Sequence, residues 1–228
     1  MKKNIFAILL LMLFATTVMA QSESKKVNVG ITVGPTIDWI SVKTAGYTKG
    51  GALIGICYGV PLDVNLTGDE NYYFSTGIKM EHVGGKLKYK DVQEGDVTRK
   101  YNAIFLSIPT GIKLKTPSFS DFVIAGHFGL SHAVALSSKK MDRIKVSDIE
   151  EKTLKKTKYE EGLFFKESLY AGIGLEYIIK NNSRASFMVN YSYAFTNYHN
   201  RKALSYFDNN ERLKGNLNTV EFVFGIFF

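Results

Sequence analysis

His127, Ser131 and Glu176 are the side chains whose types could do covalent chemistry. A histidine that takes a serine proton and is oriented by a carboxylate is the working part of a hydrolase. All three fall on the same-facing parity of alternating stretches. Their competing role is an interior hydrogen-bond network. That role is assigned here, because chain order alone does not create triad geometry. His132 sits on the opposite parity, near the middle of its stretch, and its role stays open. The four histidines form no close ligand-like cluster, which argues against a metal site. The G-x-G at Gly172 and Gly174 lacks the third glycine and the following helix of a dinucleotide fingerprint. No catalytic, cofactor-binding or metal-ligating residue is therefore assigned, no cofactor is expected, and the chain is read as a non-enzyme.

The elements that position these residues alternate with a period of two, the signature of strands. Val220, Phe222, Phe224, Ile226 and Phe228 share one parity; Thr219, Glu221, Val223, Gly225 and Phe227 fill the other. Residues 27–39, 52–60, 72–81, 104–115, 121–136, 168–179 and 185–196 repeat the pattern, which makes about eight strands. Each is about ten residues or longer, enough to cross a bilayer at a tilt. One face carries no Lys, Arg, Asp or Glu across any strand core. The other carries Gly, Ser, Thr and single charges: Lys79, Glu81, Lys113, Glu176 and Glu221. A soluble sandwich or a lipocalin-like ligand carrier would need the inverse, a richly charged exterior. The expected fold is all-β: an eight-stranded antiparallel up-and-down transmembrane β-barrel. Its interior charges must pair, since an unpaired buried charge is costly.

The N-terminus agrees. Lys2 and Lys3 precede an apolar run from Ile5 to Phe14, and Val18-Met19-Ala20 forms a small-residue cleavage site. Residues 1–20 read as a secretory signal peptide and 21–228 as one barrel domain. Cys57 is the only thiol, so no intramolecular disulfide framework exists. The formal charge of +8 drops to +6 without Lys2 and Lys3, and it sits largely in loops; nucleic acid is not an expected partner. The expected location is the outer membrane, with lipid and lipopolysaccharide around the barrel. The aromatic C-terminal strand is expected to close the barrel and to be read by the barrel insertion machinery.

With the N-terminus in the periplasm, the outer loops would be residues 42–49, 84–100, 137–162 and 198–216, and the inner turns 61–71, 116–120 and 180–182. Aromatic girdles are expected from Trp39, Phe165 and Tyr198 outside and from Tyr58, Tyr72, Tyr177 and Phe228 inside. In the loop 137–162, Ser147 followed by Glu150 is a capping box, and acidic Asp148, Glu150 and Glu151 precede basic Lys155 and Lys156. The spacing predicts a short helix with a Glu151–Lys155 pair. Pro109 removes a ladder donor and should mark a bulge or a break in pairing.

The stretch IFLSIPTGIKLK, Ile104 to Lys115, resembles the L-x-I-P-x-x-x-K strand of PorT-like outer-membrane β-barrel proteins of Bacteroidota, through Leu106, Ile108, Pro109 and Lys113. AGIGLEY, Ala171 to Tyr177, resembles a later Gly-rich strand of that group. The resemblance implies an eight-stranded barrel without cofactor or active site, one relative of which takes part in protein secretion. The expected function is scaffolding of surface loops for adhesion, envelope stability or binding of a surface or periplasmic partner. Two alternatives stand beside it: an outer-membrane lipid-modifying hydrolase and a soluble lipocalin-like barrel.

Overall fold

The computed structural model describes residues 27–69, 71–91, 95–145, 151–179, 183–208 and 211–228. The strands are β1 (Val27–Val42), β2 (Tyr47–Gly51), β3 (Leu53–Asn65), β4 (Tyr72–Asp91), β5 (Gly95–Lys115), β6 (Phe122–Lys145), β7 (Glu151–Thr153), β8 (Thr157–Lys158), β9 (Phe165–Ile178), β10 (Arg184–Ala194) and β11 (Gly215–Phe227). Eight of them close a ring of antiparallel neighbours. β1 pairs with β3 and β11, and the ring continues through β4, β5, β6, β9 and β10. The short β2 extends the edge of β3 along β4, while β7 and β8 lie against β6. Closure leaves none of the eight with a free edge along its membrane-crossing length, which is how a strand satisfies its backbone in lipid. The expected parity holds: Ile31, Ile54, Ile78, Phe128, Ile173 and Phe224 face outward and are exposed to the surroundings.

β4, β5 and β6 run for 20, 21 and 24 residues, about twice what a bilayer crossing requires. Of residues 84–100, expected as a loop, 84–91 and 95–100 are instead the upper halves of β4 and β5, paired from Gly84↔Asn102 to Asp91↔Gly95. The physical reason lies in the phase of the alternation. Below Gly84 the apolar parity faces lipid. Above it Lys86, Lys88 and Lys90 take the outward positions, and Leu87 and Tyr89 turn into the barrel. Water, not lipid, is the outer solvent there, so the hydrophobic face inverts while the strand continues.

The loop expected over residues 137–162 is likewise shortened, since β6 runs on to Lys145. Ser147, Asp148 and Glu150 of the expected helix lie outside the described residues. Its described part is strand: Glu151–Thr153 pairs with Lys145–Arg143. The strong ladder of β6 offers an edge that outcompetes a marginal helix of one or two turns. The inner turn is also shorter than residues 61–71, because β3 continues to Asn65.

Pro109 breaks one ladder and spares the other. It stands opposite Ser131 in continuous β5–β6 pairing, whereas β4 and β5 skip from Ser75↔Gly111 to Lys79↔Ser107. Gly77 lies in that gap at φ 143°, and a Cβ there would lie 2.4 Å from the Val60 carbonyl oxygen. Only glycine fits so close an approach. The bulge itself falls elsewhere: β5–β6 register shifts between Ile104 and Phe105, where Leu136 is extra. It reverses the parity of β6, so Ser137 and Lys139 face out beyond it.

Trp39 and Phe165 take outer-girdle positions, Trp39 stacked on Tyr191. Tyr72, Tyr177 and Phe228 are exposed near the other end, beside Phe122 and Phe119. Two girdle assignments fail. Tyr198 is buried inside the outer end, and Tyr58 lies mid-strand opposite Val33. Trypsin added to whole cells should cut at Lys155 or Lys156, which are exposed between β7 and β8, and spare Lys139 and Lys145 on β6. Mass analysis of the released fragments checks this. Cleavage that needs a permeabilised outer membrane would invert the orientation.

Candidate functional site

Inside the barrel, single charges from distant strands meet in two clusters. In one, Lys79 Nζ lies 2.9 Å from Glu81 and 2.8 Å from Glu221, and Lys166 Nζ also pairs with Glu81. The Asn190 side-chain amide donates to Glu221 at 3.2 Å, and His127 Nε2 lies 2.7 Å from the Asn190 oxygen. In the second cluster Lys113 bridges Asp63 at 2.8 Å and Glu176 at 2.6 Å. Lys115 adds a 2.8 Å contact to Glu176, and Arg184 stands 3.8 Å away. Lys113 and Lys115 also lie over the rings of Phe227 and Tyr73. All five charges expected to need partners have them. Asp63, Lys115, Lys166 and Arg184 complete the network. Lys115 ends the inward parity of residues 104–115; the other three lie just outside the stretches that read as strands.

The three chemistry-bearing residues of the sequence do not assemble. His127 is engaged by Asn190, Ser131 Oγ lies 2.7 Å from Ser107 Oγ, and Glu176 serves the lysines. The cavity that His127 and Ser131 both line is only about 100 Å³. This is space for a few waters and far too small for a lipid. Among the described residues no group of three His, Cys, Asp or Glu could hold a metal ion.

His132 is the residue with an unexpected setting. It does face outward, and its Nδ1 lies 2.7 Å from Glu167 Oε2, while Thr110 Oγ1 lies 3.3 Å from its Nε2. β5, β6 and β9 each contribute one residue to this chain. Exposed Leu130, Leu169 and Phe165 surround it, so it forms a polar island on the apolar belt. The outward parity of Thr110 and Glu167 was legible; their juxtaposition required the register.

The outer end is sealed from within. Ile40, Leu87, Val97, Tyr101, Phe105, Leu213 and Leu217 belong to one buried cluster with Tyr159 and Tyr198. Tyr101 packs on Tyr159, Tyr198 and His199 with ring centroids 4.9–5.8 Å apart. The Tyr159 hydroxyl lies 2.6 Å from His199 Nδ1. Residues 195–208 and 211–214 fold over the mouth through Leu163→Tyr198 and Asn200→Glu161 backbone bonds. Burial, then the charge of Arg99, pushes the His199 imidazole down to about 3. An opened cap would return it to about 6.5. The buried form is therefore fully favoured above pH 6.5, and its stability falls as pH drops from there toward 3, by about 2 kcal/mol at pH 5. Hydrogen exchange in residues 198–205 should rise at pH 5 while the barrel strands stay protected.

A closed antiparallel ring of eight strands, apolar outside and ion-paired inside, defines the class: an outer-membrane β-barrel, resident in the outer membrane. Comparison with known proteins gives the family. Residues 6–226 match the outer membrane protein beta-barrel domain, and the chain belongs to that family. No curated protein matches. Among solved structures the fold is similar to OprG of Pseudomonas aeruginosa, at 12% identity and TM-score 0.46, covering 91% of this chain and 98% of that one. It is also similar to Neisserial surface protein A, at 11% and 0.42, covering 89% and 96%. The attachment invasion locus protein Ail of Yersinia pestis is a third, at 11% and 0.39, covering 88% and 98%.

Proposed function

We propose that this chain is a non-enzymatic barrel whose capped outer end holds surface segments for adhesion, envelope stability or a protein partner. A secretion-linked role is the variant that the PorT-like resemblance favours. The observation that carries the reading is the filled interior. Ion pairs occupy the lumen, an aromatic core seals the mouth, and the cavity left beside the ion pairs is about 100 Å³. Neither conduction nor storage of a ligand suits such an interior, so the outer surface is left to act. Insertion through the aromatic β11 and processing of residues 1–20 complete the proposal. A photo-crosslinking residue at Leu204, exposed on the cap, should capture a discrete protein in intact cells. Adducts to lipid alone would count against a protein partner.

One observation favours a second reading, the lipid-modifying hydrolase. Thr110, His132 and Glu167 have the atom order of nucleophile, base and orienting acid, and they face lipid. In this reading His132 takes the Thr110 proton as the hydroxyl attacks a lipid ester carbonyl, then returns it to the departing alcohol; water releases the acyl group. Lipid analysis of cells carrying His132→Phe decides between the two. An altered acyl pattern with normal insertion would favour the hydrolase; an unchanged pattern favours the scaffold.

A further inference from the structure

Above the lipid belt, β4, β5 and β6 present an outward face that is strongly basic. Lys86, Lys88, Lys100, Lys139 and Arg143 all point out, on neighbouring strands. Lys88, Lys139 and Arg143 are exposed, and Lys86 and Lys100 are half-buried by their neighbours. The register makes the face unusual. Lys86 stands directly opposite Lys100, and Lys139 directly opposite Lys158. Like charges in directly opposed positions destabilise a sheet, so such pairs persist where an external anion meets them. The residues directly across from Lys88 are Thr98 and Thr48, and across from Lys139 on β5 is Asn102. Carboxylates lie at the margins: Asp96 at the tip between Lys90 and Lys145, and Glu160 bonded to Lys158.

Height selects the anion. The outward apolar run on β5 ends at Ile104 and on β6 at Leu136. Lys100 and Lys139 stand four and three residues farther out on their strands, roughly 10–13 Å. That distance, on a tilted strand, reaches the polar headgroup layer beside the belt. A lipid standing against the apolar belt would thus place its headgroup against these ammonium groups. Lysine is a competent point-charge binder of phosphate, and a rigid paired sheet fixes its spacing without further ordering.

We propose that this face of β4–β6 is a binding site for the phosphate groups of an outer-leaflet glycolipid, with Lys86, Lys88, Lys100 and Lys139 as its anchors. The site rests on the outer-membrane location and is independent of whether the cap has a protein partner.

The test uses the full barrel in nanodiscs containing phosphorylated lipid A or the same lipid after dephosphorylation. The wild type should retain the phosphorylated lipid through washing, and the dephosphorylated lipid should bind about tenfold more weakly. Lys→Gln at the four anchors should weaken binding of the phosphorylated lipid by about the same factor. Arg201→Gln with Lys202→Gln, exposed on the cap between β10 and β11, should change nothing. Heat-dependent gel mobility confirms folding; if the fourfold variant fails to fold, Lys88→Gln with Lys139→Gln, both exposed, should give a partial loss. Equal binding of the two lipids, or full retention by the variants, overturns the proposal. Complete displacement by millimolar inorganic phosphate would also overturn it, because the site would then recognise free anion and not lipid.

Discussion

Glu176→Gln should insert and then melt well below the wild-type barrel. Glu176 is fully buried, and its two oxygens are shared by Lys113 at 2.6 Å, Lys115 at 2.8 Å and Arg184 at 3.8 Å. Glutamine keeps the shape and removes the negative charge. Lys113 retains Asp63, but no second carboxylate contacts Lys115 among the described ion pairs. Stranding a cation in a narrow lumen typically costs about 3–5 kcal/mol, more than the pair contributes over a hydrophobic replacement. The heat-dependent gel shift of the folded barrel reads this directly. If Glu176 instead served catalysis, melting would be unchanged and the lipid composition of the cells would change. The geometry gives no such role, since neither His127 nor Ser131 approaches it closely enough to bond.

The membrane-crossing strands and their parity were readable in the sequence because lipid imposes a simple code. Outward positions between the girdles are apolar apart from the Thr110, His132 and Glu167 island, and inward positions in a narrow lumen are small or paired. Ile54, Ile78 and Phe224 obey the first half; Ser107, Gly111 and Glu221 obey the second. The same code misled above the membrane. KLKYKD, at Lys86 to Asp91, alternates as cleanly as any strand. Its phase is opposite to that of the preceding residues, and a phase reversal reads as a loop to anyone assuming one solvent. The structure keeps the strand and changes the solvent.

Partner identities inside the barrel were not legible for a different reason. Lys113 and Asp63 are 50 residues apart, and Glu81 and Lys166 are 85 apart. Those meetings depend on stagger around the ring, which turn lengths and the bulge at Leu136 set together. The same holds for Thr110, His132 and Glu167 on the outer face. Tyr198 shows a third limit: an aromatic near a strand end fits a lipid girdle and a buried cap equally well by sequence. Only the burial of Tyr198 in the cluster at the mouth decides between them.

Phe224→Arg tests the lipid face where it is most exposed to error. Phe224 is 55% exposed, stands opposite Val33 on β1 and packs on Phe187 of β10 with ring centroids 4.8 Å apart. It lies four residues from Phe228, well inside the belt. A cation there meets hydrocarbon, at a cost of about 2–4 kcal/mol near the midplane, and it also loses the aromatic pair, worth about 0.5–1.5 kcal/mol. The informative control is an inward neighbour. Gly225 is unsuitable, because an added Cβ would lie 2.6 Å from Ser186 Oγ and 2.8 Å from Thr32 Cγ2. Val223 is better: it is buried, and it lines the small cavity shared with Ser186 and Asn190, whose polar groups a hydroxyl would face. Val223→Thr should therefore fold nearly as well as wild type in a urea series read by gel mobility. Phe224→Arg should fold at markedly lower yield. Equal folding of the two would mean that β11 does not present the Phe224 face to lipid. The ring would then have to close in another register, because a slip of one residue exchanges every inward and outward side chain of the strand.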